Sequence, residues 1–172
     1  MLELILGGVR SGKSSLAEKR AMDSGLQVVY IATAEMLDEE MQERIKRHKM
    51  RRPEEWVLIE AGANLAEILH RECRHDRCIL VDCLTLWVTR MLCNGDDAVM
   101  KREIGSLLDG LSGLPGKLIF VSNETNMGVV PMGDLSRRYC DEMGRLHQQL
   151  GKLCDVVALT VAGLPLCIKG SM

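Results

Sequence analysis

A glycine-rich segment near the amino terminus is the first feature whose residue types and spacing could do chemistry. It fits the pattern G-x-x-x-x-G-K-[ST] at every fixed position, between a predicted strand and a predicted helix. Its residues are Gly7, Gly8, Val9, Arg10, Ser11, Gly12, Lys13 and Ser14. In such loops backbone amides converge on a phosphate, the lysine contacts the β- and γ-phosphate oxygens, and the hydroxyl ligates Mg²⁺. We therefore predict that this loop binds a nucleoside triphosphate, with Lys13 catalytic and Ser14 a metal ligand.

Asp82 is a second candidate ligand for Mg²⁺. It ends the apolar run Cys78–Val81, and a carboxylate at the end of a neighbouring strand is a suitable oxygen ligand for this ion. The alternative is that Asp82 caps the helix predicted to follow it, and one residue could do both.

His48 is a candidate nucleophile. It continues the inward stripe of a predicted helix over residues 35–49, and Pro53 follows the end of that helix. Six cations surround it, namely Arg44, Lys46, Arg47, Lys49, Arg51 and Arg52. Two interpretations stay open: a solvated basic helix end with a packed core histidine, or a polyphosphate pocket. In the second, nearby positive charge favours the neutral imidazole, which could attack the α-phosphate of a nucleotide and expel pyrophosphate.

The other three histidines lack such surroundings. His70 and His75 are expected to be solvated, and His147 is expected late in a helix without a clear role.

Short apolar runs alternate with helical stretches along the chain. The predicted strands are Leu2–Leu6, Val28–Ala32, Trp56–Ile59, Cys78–Val81, Lys117–Val121, Val156–Val161 and Leu164–Ile168. The predicted helical stretches are 14–24, 35–49, 63–73, 84–111 (broken at 94–97) and 135–153. Continuous apolar strands are typical of a parallel sheet covered on both faces, so we predict an α/β fold with flanking helices. The last two strands are too close for an intervening helix and predict an antiparallel edge hairpin.

Composition limits the classes of protein. The 172 residues are 47% hydrophobic and 27% charged, with a net charge of -2, which fits one domain over residues 1–172. We expect no signal peptide, no membrane span and no nucleic-acid partner, and a cytoplasmic location. The seven cysteines are irregularly spaced, and Cys73, His75 and Cys78 lack the second ligand pair of a zinc site.

Together these residues resemble the bifunctional adenosylcobinamide kinase / adenosylcobinamide-phosphate guanylyltransferase family of cobalamin synthesis. The phosphate loop is generic, but two further segments make the match specific. They are Arg44-Ile45-x-x-His48-x-x-x-Arg52-Pro53 and Asn123-Glu124-x-x-Met127-Gly128. One departure is Asn126, where the family commonly has glycine. Because asparagine tolerates left-handed backbone torsions, we expect the turn to survive.

The resemblance implies a RecA-like P-loop NTPase fold that assembles as a homotrimer. It implies phosphorylation of adenosylcobinamide by ATP or GTP, then transfer of GMP from GTP to the product through a guanylated His48. The implied nucleotide contacts beyond the phosphate loop are Ala32, Thr33, Ala34, Lys49, Met50, Arg51, Arg52, Glu60 and Asp82. Glu60 could accept hydrogen bonds from a guanine edge or from the ribose.

Two other functions are open at this point. A monofunctional P-loop kinase would use only the loop and Asp82 and would form no covalent nucleotide. A nucleotide-dependent switch would change its assembly without turning over a corrinoid.

Overall fold

A computed structural model of the chain describes residues 1–33 and 53–172. The predicted helix over residues 35–49, with His48, lies outside the described residues.

Within the described residues, seven strands form one sheet. In chain order they are β1 (Leu2–Gly7), β2 (Gln27–Ala32), β3 (Val57–Glu60), β4 (Arg77–Asp82), β5 (Lys117–Asn123), β6 (Val156–Val161) and β7 (Leu164–Lys169). Their order across the sheet is β3-β2-β4-β5-β1-β6-β7. All neighbouring strands are parallel except β6 and β7, which are antiparallel. The predicted mostly parallel sheet with a carboxy-terminal edge hairpin is confirmed.

Helices cover the sheet unequally. The described helices are α1 (Lys13–Met22), α2 (Leu65–Glu72), α3 (Leu84–Cys93), α4 (Asp97–Gly110) and α5 (Asp134–Leu153). Alternate residues of the central strands pack on opposite faces: α1 packs with one set, and α2 to α5 pack with the other. This explains the continuous apolar runs of β1, β2, β4 and β5, because both faces of these strands are buried.

The predicted break in the long helical stretch is also present. Gly95 has φ +71°, a conformation that favours glycine, and the Asp96 side chain accepts a hydrogen bond from Val99 N at 2.9 Å. That bond caps the start of α4, so the chain stops one helix and begins the next within four residues.

One carboxylate is buried inside the sheet. Glu3 of β1 is 0% exposed, accepts hydrogen bonds from Nε and Nη2 of Arg20, and lies 3.0 Å from Lys117 Nζ. Burial alone would raise the pKa of Glu3, but the hydrogen bonds and charges of Arg20 and Lys117 hold it below its ordinary value of 4.5. The ion cluster joins α1 to two adjacent strands.

None of the described helices is long and apolar enough to cross a bilayer.

Candidate nucleotide site

The phosphate loop connects β1 to α1 at the carboxyl edge of the sheet. Gly12 immediately precedes α1 with φ +98°, and Arg10 has φ 56°. Ser11 N donates to Gly8 O at 3.2 Å, and Lys13 Nζ donates to the same carbonyl at 3.1 Å. The lysine is therefore folded back over the loop, and the amino-terminal N–H groups of α1 lie beside it. This arrangement suits an anionic phosphate, because both the helix dipole and the ammonium group attract negative charge.

Close packing behind the loop explains its glycines. A Cβ atom on Gly7 would lie 2.3 Å from Ser11 Oγ and 2.7 Å from Thr160 O. A Cβ atom on Gly12 would lie 3.1 Å from Gly163 Cα, in the turn between β6 and β7. Gly163 N also donates to Ser11 O at 2.8 Å. The loop is thus built directly against the carboxy-terminal hairpin.

Asp82 ends β4 at the same edge of the sheet. Tyr30 Oη donates to Asp82 Oδ2 at 3.0 Å. The residue that precedes α3 is Cys83 and not Asp82, and the Cys83 side chain makes no capping hydrogen bond within the described part of the chain. The alternative role of Asp82 as a helix cap is therefore wrong.

The oxygen atoms of Ser14 and Asp82 fit a magnesium ion by their chemistry. Ser14 lies in the first turn of α1, and Asp82 is the last residue of β4. Hard divalent cations prefer such hydroxyl and carboxylate oxygens, and they complete their shell with water and phosphate.

Three other predicted contacts lie at the ends of β2 and β3. Ala32 pairs with Asp82 on one side and with the exposed Glu60 on the other, so these residues share one row of the sheet. Thr33 is buried, and its hydroxyl donates to Cys83 O at 2.6 Å and accepts from Cys83 N at 2.8 Å. Its side chain therefore joins β2 to the start of α3.

The remaining predicted site residues lie outside the described residues. They are Ala34, His48, Lys49, Met50, Arg51 and Arg52.

A family model described as cobinamide kinase / cobinamide phosphate guanyltransferase matches residues 3–168. The chain belongs to this family. It is 54% identical over 170 residues to the bifunctional adenosylcobalamin biosynthesis protein CobP of Pseudomonas aeruginosa, covering 99% of this chain and 98% of that one. It is 38% identical over 182 residues to the protein CobU of Escherichia coli, covering 98% and 100%. The resemblance stated from the sequence is confirmed.

Solved structures show the same fold at low identity. The RadB recombinase matches with a TM-score of 0.55 and 16% identity, over 92% of this chain and 73% of RadB. A protein from Pyrococcus horikoshii matches with a TM-score of 0.59 and 10% identity, over 99% and 87%. The predicted RecA-like fold of this member of the cobinamide kinase / guanyltransferase family is confirmed.

A polar cluster beside the phosphate loop has contacts that the sequence analysis did not predict. His147 of α5 lies with Nε2 2.8 Å from Ser122 Oγ and Nδ1 3.9 Å from Glu124 Oε2. Burial lowers the pKa of His147, although the charge of Glu124 acts in the opposite direction. His70 and His75 are exposed, as expected. The sequence pattern predicts that His147 lies late in a helix, but it does not show which strand packs against that helix and therefore cannot identify Ser122 as a partner.

Asn126 contacts α5 through its side chain. Its φ is not positive. Asn126 Nδ2 donates to Cys140 O of α5 at 2.9 Å, and a Cβ atom on Gly144 would lie 2.9 Å from that nitrogen. The tolerance of asparagine for left-handed torsions is therefore not used here: the side-chain amide bonds to α5, where Gly144 leaves room for it.

Proposed function

We propose that this chain catalyses two successive reactions on adenosylcobinamide. In the first, a nucleoside triphosphate, ATP or GTP, phosphorylates the hydroxyl of the substrate. In the second, GMP passes from GTP to that phosphate, giving adenosyl-GDP-cobinamide and pyrophosphate. The observation that carries the proposal is the complete phosphate loop from Gly7 to Ser14. The chain that contains this loop matches two relatives over nearly their whole length, and both relatives are named bifunctional.

The first reaction uses the loop described above. The loop amides and Lys13 hold the β- and γ-phosphates, and they neutralise charge that develops as the γ-phosphoryl group leaves. The acceptor oxygen forms a bond to the γ-phosphorus while the bond to the β-phosphate oxygen breaks. A magnesium ion held by Ser14 and Asp82 would supply further charge neutralisation.

The second reaction uses His48 as a nucleophile. Its neutral ring nitrogen bonds to the α-phosphorus of GTP, and the bond to the leaving pyrophosphate breaks. A phosphate oxygen of the substrate then attacks the same phosphorus and breaks the P–N bond, which restores the histidine. Support comes from the basic segment around His48 and from family membership.

Nucleotide selection is assigned to residues at the ends of β2 and β3 and after His48. Glu60 is exposed at the end of β3, so its carboxylate is available to the guanine edge or the ribose. Ala32, Thr33 and Ala34 would contact the nucleotide from the neighbouring strand end. Lys49, Met50, Arg51 and Arg52 would contact its phosphates and ribose.

Covalent labelling tests this proposal. The protein is incubated with GTP labelled at the α-phosphate or, separately, at the γ-phosphate. We expect an acid-labile, alkali-stable adduct with the α-label only. His48→Ala should abolish it, whereas His75→Ala, which replaces an exposed histidine elsewhere, should leave it intact. Adduct that survives in His48→Ala contradicts the nucleophile assignment. Phosphate transfer to adenosylcobinamide without any adduct would instead identify a monofunctional kinase.

Turnover assays complete the test. Adenosylcobinamide is supplied with ATP alone and with GTP alone, and both phosphorylated and guanylylated products are measured. Lys13→Ala should lower both products if one loop holds the nucleotide in both reactions. Full guanylyl transfer by this variant would show that the loop serves only the kinase.

The assembly and the extent of the catalytic unit are also proposals. We propose that residues 1–172 form one nucleotide-binding catalytic domain of a cytoplasmic enzyme that assembles as a homotrimer. Strands from both ends of the chain belong to the same sheet, which supports one unit. The exposed apolar side chains of Leu164, Leu166 and Ile168 on the edge strand β7 support self-association.

A further inference from the structure

An exposed apolar segment follows β5 and is not used by the nucleotide site. Four apolar residues within residues 127–132 are largely exposed: Met127 (75%), Val129 (95%), Val130 (72%) and Met132 (95%). Single exposed apolar residues are ordinary on protein surfaces, but four within six residues form a patch of the kind that binds a partner or ligand. We call residues 127–132 the apolar segment.

Hydrogen bonds hold the chain just before the apolar segment and at its last two residues. Before it, Asn126 N donates to Glu124 Oε1 at 2.7 Å, and Asn126 Nδ2 donates to Cys140 O at 2.9 Å. At its end, Arg137 Nη1 donates to Pro131 O at 3.3 Å and also to Met132 O. Hydrogen bonds to α5 thus hold both ends of the segment, while its apolar side chains are exposed. Such preorganisation lowers the entropy that a ligand must overcome on binding.

The position of the apolar segment relates it to the phosphate loop. Asn123, the last residue of β5, pairs with Gly7, and Glu124 N donates to Gly7 O at 3.0 Å. The apolar segment therefore begins three residues beyond a direct contact with the start of the loop. Val9, within the loop itself, is another exposed apolar residue, at 69%.

We propose that the apolar segment binds the corrin macrocycle of the cobinamide substrate. This inference rests on the proposed function. The acceptor hydroxyl must reach the γ-phosphate at the loop, so the ring that carries it must lie beside the loop at the same edge of the sheet. The corrin ring carries methyl groups between its amide side chains, and exposed valine and methionine side chains can cover those methyl groups. Methionine is unbranched and polarizable, and it adapts to such irregular shapes.

The test measures binding separately from turnover. Adenosylcobinamide binding is measured by equilibrium dialysis, with the absorbance of the corrin as the signal, for the full chain and for the double variant Val129→Asn/Met132→Gln. Because both residues are 95% exposed, the substitutions should leave the fold intact. We expect the Kd for adenosylcobinamide to rise about tenfold or more, from loss of apolar contact area. The GTP affinity and the yield of guanylyl adduct should not change.

Met22→Gln is the matched control, because Met22 is also an exposed methionine, at 52%, but lies at the far end of α1. Its Kd for adenosylcobinamide should equal that of the unmodified chain. An unchanged Kd in the double variant overturns the inference. If the double variant keeps the Kd but sediments as a smaller oligomer than the unmodified chain, the inference is also overturned, and the segment is instead a contact between copies of this chain. If the unmodified chain binds adenosylcobinamide without turning it over, the proposed function fails while the binding test remains valid.

Discussion

Replacing Gly12 with alanine should weaken GTP binding about 5- to 30-fold. Gly12 has φ +98°, and an added Cβ would lie 3.1 Å from Gly163 Cα. A left-handed backbone costs an L-residue about 1–2 kcal/mol, and the contact with the hairpin adds to this cost. The loop relieves this strain by rotating the amides at the start of α1 away from the orientation that binds phosphate. Binding of GTP must then return these amides to that orientation, and this lowers the affinity. A loss of 1–2 kcal/mol corresponds to that range of affinity.

Gly113→Ala provides the matched control. Gly113 has φ +86°, but an added Cβ would have no neighbour within 4 Å, and the residue lies in the turn before β5, at the opposite edge of the sheet. The Gly113→Ala variant should have a free energy of unfolding in urea that is about 1–2 kcal/mol lower, and its GTP affinity should not change. Titration calorimetry with GTP measures both variants. Unchanged GTP affinity in Gly12→Ala would refute the role of this backbone conformation. Equal affinity losses in both variants would show that general destabilisation, and not loop geometry, is responsible.

Three further predictions concern stability. Glu3→Ala should destabilise the protein by up to about 3–5 kcal/mol in urea unfolding, because it removes the buried carboxylate that pairs with Arg20 and Lys117, whose side chains are only 17% and 15% exposed. Glu142→Ala, whose partner Arg145 is 66% exposed, should cost about 0–1 kcal/mol. Because the pKa of Glu3 is lower in the folded state, its contribution should be complete above pH 4.5 and should decline as acid protonates the folded state. A pH titration of unfolding midpoints checks this, and Glu3→Ala should flatten it. Gly144→Ala should be about 0.5–1.5 kcal/mol less stable than Gly105→Ala, because an alanine at residue 144 displaces the side chain of Asn126. Gly105→Ala is the control, since it also places alanine inside a helix but meets no neighbour within 4 Å. Equal unfolding free energies of the two variants would contradict this prediction.

The sequence predicted the elements well because local information defines them. The apolar runs of the central strands report burial on both faces, and the short interval between Val161 and Leu164 leaves room only for a hairpin. The phosphate loop has a local pattern as well, because its chemistry requires consecutive amides. Each of these features depends on residues that are neighbours in the chain.

The side-chain partners around the site could not be predicted, because they depend on which strands are adjacent. Thr33 bonds to Cys83 across fifty residues only because β2 lies beside β4. His147 meets Ser122 only because α5 packs on the face of β5 that carries this serine. Asn126 shows a further limit: its φ is not positive, and its side chain bonds to Cys140 O of α5, a partner that the local sequence does not reveal.

The position of β1 in the middle of the sheet has a consequence for synthesis. The phosphate loop belongs to the first 14 residues, yet its supports are Glu124, bonded to Gly7, and Gly163, bonded to Ser11. The two strands that flank β1 are β5 and β6, and both are made late. A nascent chain on the ribosome therefore carries its nucleotide-binding loop in unfinished form until β6 and the turn that follows it have emerged. Competence to hold a triphosphate is then acquired with these late strands and not with the segment that contains the loop.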